Sequence, residues 1–428
     1  MSELTYEDIL RARERFAKAA ELFGEGTDEP IYRSPCPYSQ GLSKLTGTRC
    51  YIKLESLQAT GSFKDRGALN KLLSLDEEER RRGVIAASAG NHAQAVAYWA
   101  TRLGIEATIY MPEGTPLIKR KRTATFGGKV MLYGSNLEES FAAALEERER
   151  RNLVFVHPFD DAEIIAGQGT AGLELIEQHP KLDAVIVPVG GGGLIAGMGL
   201  ALKHHKPSLQ LIGVEPEVVP SLTRALAAHK PVTLPPAPTI ADGIRVRKVG
   251  ELTEAIAERV VDKVVTVSEE DIAYAVLVLL EQEKTVTEGA AAAALAPLLT
   301  GQLEELRGKR TALVLSGGNI DVTMLARIIE RGLVRDGRQM RIFVVINDSP
   351  GALAALTTKL GELGANILQI YHDRSFAQAA LGETFVEMTL ETRDRDHVAQ
   401  IEDGLRQQGY RLTGPGGPDR PRGPRSHP

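Results

Sequence analysis

The chain has 428 residues, is 43% hydrophobic and carries a formal net charge of −5. At about 150 residues per domain the length suggests two to three domains, large enough to bury cores without disulfide or metal staples. The acidic balance argues against nucleic-acid and anionic-membrane partners, which need clustered positive charge, and the two cysteines, Cys36 and Cys50, read as reduced thiols of a cytoplasmic protein.

The opening MSELTYEDIL has no basic n-region and no apolar h-region, so no signal peptide is expected. No apolar run approaches the roughly 20 residues that span a bilayer. Strand-like and helix-like segments alternate through the first 330 residues. GVIAAS (Gly83–Ser88) reads as a buried strand and AQAVAYWATRLG (Ala93–Gly104) as the helix after it. EATIYMP (Glu106–Pro112) is the next strand, PLIKRKRTATFG a helix, and KVMLYG (Lys129–Gly134) a strand again. NLVFVHP, DAVIVPVG, LQLIGVEP and RTALVLSGG are further short strands, each closed by glycine, proline or polar residues. Strands spaced by helices imply an α/β fold with a mostly parallel sheet. Ligands of such sheets bind beyond the carboxyl ends of the strands. Three small-residue turns sit there: SAGNH, GGGG and SGGN.

Near RGLVRDGRQM (Arg331–Met340) a short charged stretch reads as a linker, 331–340, after a unit covering 1–330. Beyond it, RIFVVIND is a strand and SPGALAALTTKLGELG a helix, with Pro350 in its first turn and Gly364 past its end. Leu353, Leu356, Leu360 and Leu363 share one face of that helix. ANILQIYH is a second strand. In GETFVEMTLET, Val386, Met388 and Leu390 alternate with polar residues, as a strand with one buried face requires. DHVAQIEDGLRQQG is a second helix and YRL a last strand, giving a ferredoxin-like βαββαβ unit over 341–413. The proline- and glycine-rich 414–428 reads as a disordered tail.

The glycine run Gly190–Gly193 has two readings. Gly191, Gly193 and Ala196 satisfy a dinucleotide-binding pattern, with Glu215 as a ribose-binding acid on the next strand. Alternatively, successive N–H groups from Gly190 to Leu194 form a nest for one phosphate monoester at a helix start. The motif alone leaves both open. Lys64, in TGSFKDRGALNK, adds a third element. A lone lysine is usually a solvated cation; its chemical use would be a Schiff base with an aldehyde cofactor. Ser88, Asn91 and Ser316 can each be simple helix caps.

Taken together, KLESLQATGSFKDRGA, ASAGNHAQAVA, PVGGGGL, TIADGI and LSGGN resemble the fold-type II pyridoxal-phosphate enzymes of the threonine/serine dehydratase branch. The resemblance covers about the first 330 residues and implies a two-lobed catalytic domain. VVINDSPGALAALTTKLGELGANILQI resembles an ACT domain. The resemblance implies that Lys64 carries the pyridoxal phosphate and then removes the substrate Cα proton. It implies that Phe63 packs beside the ring and that Asn91 bonds the phenolic oxygen. Gly190, Gly191, Gly192, Gly193 and Leu194 would hold the phosphate, and Ser316 would face the pyridine nitrogen. Ser88, Ala89, Gly90 and His92 would present the loop for the substrate carboxylate, His92 through its backbone N–H. Ala89 stands where serine racemases place a second base, so racemase activity should be weak. Glu215 matches the first acid of a family cation site, but Ser221 replaces the second, so no divalent metal is expected there and a monovalent ion stays the alternative. His204 and His205 read as a solvated helix end.

The activity implied is L-threonine ammonia-lyase, first step towards isoleucine, with L-serine as a further substrate. A catabolic L-serine dehydratase and an amino-acid sensor with an inactive catalytic domain are the alternatives. The ACT-like unit implies isoleucine or valine as effector, and symmetry favours a homodimer or homotetramer.

Overall fold

The structure is a computed structural model and describes residues 4–21, 30–373 and 380–414. The chain divides into two compact units, Met1–Met324 and Leu325–Pro428.

The first unit contains two parallel sheets. Its strands in chain order are β1 (Arg49–Leu54), β2 (Val84–Ala87), β3 (Ala107–Met111), β4 (Lys129–Leu132), β5 (Val154–Phe155), β6 (Ala184–Pro188), β7 (Gln210–Pro216), β8 (Lys263–Val267) and β9 (Arg310–Leu315). One sheet runs β1-β9-β6-β7-β8 and the other β4-β3-β2-β5. Every pairing in both is parallel. The sequence reading passed over β1 and β8. β1 hides behind its charges, because Lys53 is fully buried inside it. β8 is a short edge strand with an exposed Lys263.

Two helices that flank the glycine run cross at very close range. A Cβ on Gly197, in the helix Gly193–His205, would lie 2.2 Å from the Ile165 carbonyl oxygen of the helix Ala162–Gln178. Only glycine permits that approach, and it fixes where the second helix begins.

A buried ionic cluster fixes a third helix, Lys64–Ser74. Arg66 donates Nε to Glu55 Oε2 at 2.8 Å and Nη1 to Glu174 Oε1 at 2.6 Å. Lys53 donates to Glu174 Oε2 at 2.6 Å and to the Ser34 carbonyl at 2.7 Å. Lys53, Glu55 and Arg66 are all fully buried. Burial alone would raise the Glu55 carboxyl, but Arg66 overcomes it and holds Glu55 below the ordinary carboxylate range.

In the second unit, β10 (Gln339–Asn347), β11 (Asn366–Asp373), β12 (Glu383–Glu391) and β13 (Arg411–Leu412) form an antiparallel sheet of order β11-β12-β10-β13. With the helices Ala352–Glu362 and Arg395–Gln407 this is a ferredoxin-like βαββαβ order. Val386, Met388 and Leu390 are fully buried against Leu356 and Leu360.

The expected linker 331–340 is corrected. A helix runs Val322–Arg335 and β10 begins at Gln339, so only Asp336, Gly337 and Arg338 lie between. Ile328 and Gly332 are buried on that helix, and their apolar spacing outweighs the local charge that suggested a loop. Of the tail 414–428, Gly414 is described and the rest lies outside the described residues. Among the described residues no helix is long and apolar enough to cross a membrane.

Arg66→Ala leaves Glu55 buried without its cation. It is expected to lower unfolding free energy by about 3–5 kcal/mol, read by urea denaturation; a loss under about 1 kcal/mol would mean that water or Lys53 replaces the guanidinium.

Candidate active site

Lys64 is the first residue of its helix, with Phe63 at the cap position. The loop before it is tied on both sides. Asp65 accepts from the Thr60 N–H at 2.8 Å and the Thr60 hydroxyl at 2.6 Å. The Phe63 N–H donates to the Ser316 carbonyl, and the Gly318 N–H to the Gly61 carbonyl, each at 3.0 Å. The loop after β9 is thus bonded directly to the loop that carries Lys64. The Lys64 amine lies 5.0 Å from the Phe63 ring centroid and donates to the Pro158 carbonyl at 2.6 Å. Burial pushes its pKa down to about 8, against an opposing pull from the Glu288 charge. A neutral amine is therefore available near neutrality, as nucleophile or as base.

The glycine run follows β6. Gly192 has φ +90° and caps the helix that starts at Gly193. The N–H groups of Gly190, Gly191, Gly192, Gly193 and Leu194 donate to no described residue. Five unspent donors at a helix start make a ready anion seat. The glycines have a second reason that the sequence did not reveal. A Cβ on Gly191 would sit 2.2 Å from the Phe159 ring, and one on Gly192 would sit 3.0 Å from the Thr253 Cβ. Thr253 also donates its hydroxyl to the Gly191 carbonyl at 2.7 Å. Asp160 caps the helix that supplies Thr253, accepting from the Leu252 N–H at 3.0 Å.

The SAGNH turn joins β2 to the helix Asn91–Arg102. The Ser88 hydroxyl accepts from the Gly90 N–H at 3.2 Å. The N–H groups of Ala89, Asn91 and His92 donate to no described residue, leaving a second set of free donors. His92 is buried and its Nε2 meets the Val156 carbonyl at 2.9 Å. Burial pushes its pKa down to about 3, so the ring stays neutral and turned away from the loop. Asn91 gives its Nδ2 to Glu288 Oε1 at 2.9 Å and Oε2 at 3.1 Å. Its Oδ1 accepts from Asn319 Nδ2 at 2.8 Å. Ser316, just past the end of β9, is buried, and its carbonyl accepts the Phe63 N–H.

Sequence reasoning missed Glu288, Asn319, Pro158 and Phe159. Asn319 stood in the quoted SGGN, where only Ser316 was given a role. Glu288 precedes an alanine run whose complete burial could have marked it. Burial, then the charge of Asp242, pushes Glu288 up to about 7.

Glu215 is spent elsewhere. It accepts from the Leu222 N–H at 2.6 Å, the Thr223 N–H at 2.9 Å and the Thr223 hydroxyl at 2.7 Å, capping the helix Ser221–Ala228. This commitment weakens the ribose-binding alternative. Among the described residues no group of three or more histidine, cysteine or acidic side chains is arranged to hold a metal ion. His204 stacks on Tyr6 at 3.8 Å and the Tyr6 hydroxyl meets His205 Nε2 at 2.8 Å, so this exposed helix end packs on the N-terminal helix.

Residues 27–317 match the family described as pyridoxal-phosphate dependent enzyme. The chain is 48% identical to a protein of Thermotoga maritima named L-threonine ammonia-lyase, over 89% of this chain and 95% of that one. A solved structure of the processed form of threonine deaminase isoform 2 from Solanum lycopersicum is 35% identical with a TM-score of 0.70, covering 77% of this chain and 95% of that one. Maize serine racemase is 32% identical with a TM-score of 0.71, covering 78% of this chain and 99% of that one. Residues of this site fit a phosphorylated aldehyde: five free N–H groups for the phosphate and a readily deprotonated lysine for the carbonyl carbon.

Gly191→Ala, which drives a methyl into Phe159, is expected to cost about 1–3 kcal/mol and to release the cofactor on gel filtration. Gly90→Ala, whose Cβ meets nothing within 4 Å, is the stability control. The rate at which cofactor-free protein captures the aldehyde should rise with pH and level off above about 8, where Lys64 is mostly neutral. A rate still climbing at about pH 10 would place Lys64 at its ordinary value.

Proposed function

Because the chain belongs to the family of pyridoxal-phosphate-dependent enzymes, we propose that it is an L-threonine ammonia-lyase, converting L-threonine to 2-oxobutanoate and ammonia. One observation of geometry carries the chemistry. A lysine amine with its pKa near 8 shares a loop network with two helix starts whose N–H groups are unspent. The choice of L-threonine rests on the Thermotoga maritima relative.

In this reading Gly190, Gly191, Gly192, Gly193 and Leu194 hold the cofactor phosphate through their N–H groups. Lys64 holds the aldehyde carbon, Phe63 packs beside the ring, and Asn91 donates an N–H to the phenolic oxygen. When bound, pyridoxal phosphate supplies an electron sink for charge left on the substrate Cα. Lys64 Nζ takes the Cα proton, and its depressed pKa provides the neutral amine that this needs. The free N–H groups at Ala89, Asn91 and His92 orient the substrate carboxylate, with Ser88 and Gly90 shaping the turn. Ser316 sets a neutral hydroxyl, not a carboxylate, against the pyridine nitrogen. That limits how long charge stays on Cα and favours loss of the β-hydroxyl over transamination. Ala89 has no proton to give on the opposite face, so inversion at Cα is slow.

L-serine fits the same site, since one methyl group is worth only about 1–3 kcal/mol of discrimination. A catabolic L-serine dehydratase is the neighbouring reading. The ferredoxin-like unit offers a turn at Asn347–Gly351, where Gly351 has φ +86° and begins a helix. We place there a regulatory amino acid, isoleucine or valine, in a cytoplasmic homodimer or homotetramer.

Purified protein supplied with pyridoxal phosphate and no nicotinamide is expected to release 2-oxobutanoate from L-threonine faster than pyruvate from L-serine. Isoleucine should shift the threonine saturation curve. Pyruvate alone would make it the serine enzyme. Lys64→Ala should lose turnover and the visible absorbance of the bound cofactor; elimination retained in that variant sinks the mechanism.

A further inference from the structure

The amide of Asn91 lies among three neighbours whose hydrogen-bonding sense can be read in sequence. The first is the Thr60 backbone carbonyl, which only accepts. Asn319 meets it at 2.8 Å, so the end of Asn319 that faces Thr60 must be Nδ2. The same nitrogen lies 2.8 Å from Asn91. Its second hydrogen therefore points at Asn91, and Asn91 must answer with Oδ1. The Nδ2 of Asn91 is then forced to the other side, where Glu288 Oε1 lies at 2.9 Å. This chain of donors starts at a backbone group that has no second orientation and no titration.

We propose that Asn319 is a positioning residue, which sets the polarity of the Asn91 amide so that its N–H end is the one offered to the cofactor. The proposal rests on the reading that Asn91 donates to the phenolic oxygen. An asparagine is nearly symmetric in shape, so packing alone does not choose between its two ends. Turned over, Asn91 would present Oδ1 to an oxygen that carries negative charge, and the attraction would become repulsion. Glu288 supports the same polarity only as long as it is an acceptor. The Thr60–Asn319 bond supports it whatever Glu288 does. Asn319 is held in turn by close packing on the Lys64 side: a Cβ on Gly61 would lie 2.6 Å from Asn319 Oδ1. One side chain thus ties the loop that carries Lys64 to the amide that faces the ring.

The test uses the full-length holoenzyme. Asn319→Asp keeps the shape and replaces the donor by an acceptor, so Asn91 is satisfied only by turning its N–H end toward residue 319. A donor at the phenolic oxygen favours its ionised form. The expected result is a shift of the bound cofactor's visible absorption toward the shorter-wavelength, neutral form. With it kcat should fall by on the order of 10²-fold, with the KM for L-threonine little changed. Asn319→Ala, which removes the donor without adding charge, should shift the spectrum in the same direction by less, and covers the case in which Asn319→Asp does not fold. Asn91→Ala should shift it alone, and adding Asn319→Asp to it should shift it no further. An unchanged spectrum in Asn91→Ala overturns the reading of Asn91 and the role of Asn319 with it. A shift in Asn91→Ala but none in either Asn319 variant overturns the role of Asn319 alone. A further shift in the double variant overturns it too, because Asn319 would then act through the Thr60 loop.

Discussion

The Arg66 guanidinium is fully buried and donates to both Glu55 and Glu174, while Lys53 supplies the second cation to Glu174. Taking these charges out of water is costly, and the pairing repays that cost only in close geometry. The geometry therefore has little freedom. Successive residues of a helix are turned by about 100°, so Lys64 and Arg66 point about 200° apart. Fastening Arg66 to Glu55, the residue just past β1, and to Glu174 of the helix Ala162–Gln178 turns Lys64 to the opposite side, toward the Pro158 carbonyl. The roll of one helix is set by ions so that a lysine two residues away meets the site.

The same helix Ala162–Gln178 positions the anion seat at the glycine run. Its glycine-mediated contact at Gly197 sets the start of the helix Gly193–His205, and Phe159 and Thr253 press the glycine run into shape. Lys64 and the anion seat thus share one supporting element. Their separation is held by backbone contact and buried charge, neither of which yields easily.

The polar groups around the site divide by purpose. Backbone donors at two helix starts are left unspent: the N–H groups of the glycine run, Ala89, Asn91 and His92. Those that must not interfere are committed to the protein. The His92 ring is bonded to Val156 and kept neutral, His157 Nδ1 accepts the Asp160 N–H at 2.7 Å, and Glu215 caps a helix. Free donors and a lysine that deprotonates near pH 8 make an environment that welcomes a phosphate and an aldehyde together.

The sequence by itself determined the α/β class and the ferredoxin-like unit, because strand periodicity and glycine turns are local patterns. It misread 331–340, where exposed Arg331 and Arg335 sit on a helix whose other face buries Ile328 and Gly332. It overlooked β1, because a lysine in a strand reads as exposed until its partners Glu174 and Ser34 arrive from distant parts of the chain. Only the tertiary structure decided that Gly191 is glycine because of Phe159, that Glu215 serves a helix, and that Asn319 and Glu288 converge on Asn91. The Gly191–Phe159 approach and the convergence on Asn91 join residues far apart in the chain, and a contact of that kind leaves no periodicity or spacing to read.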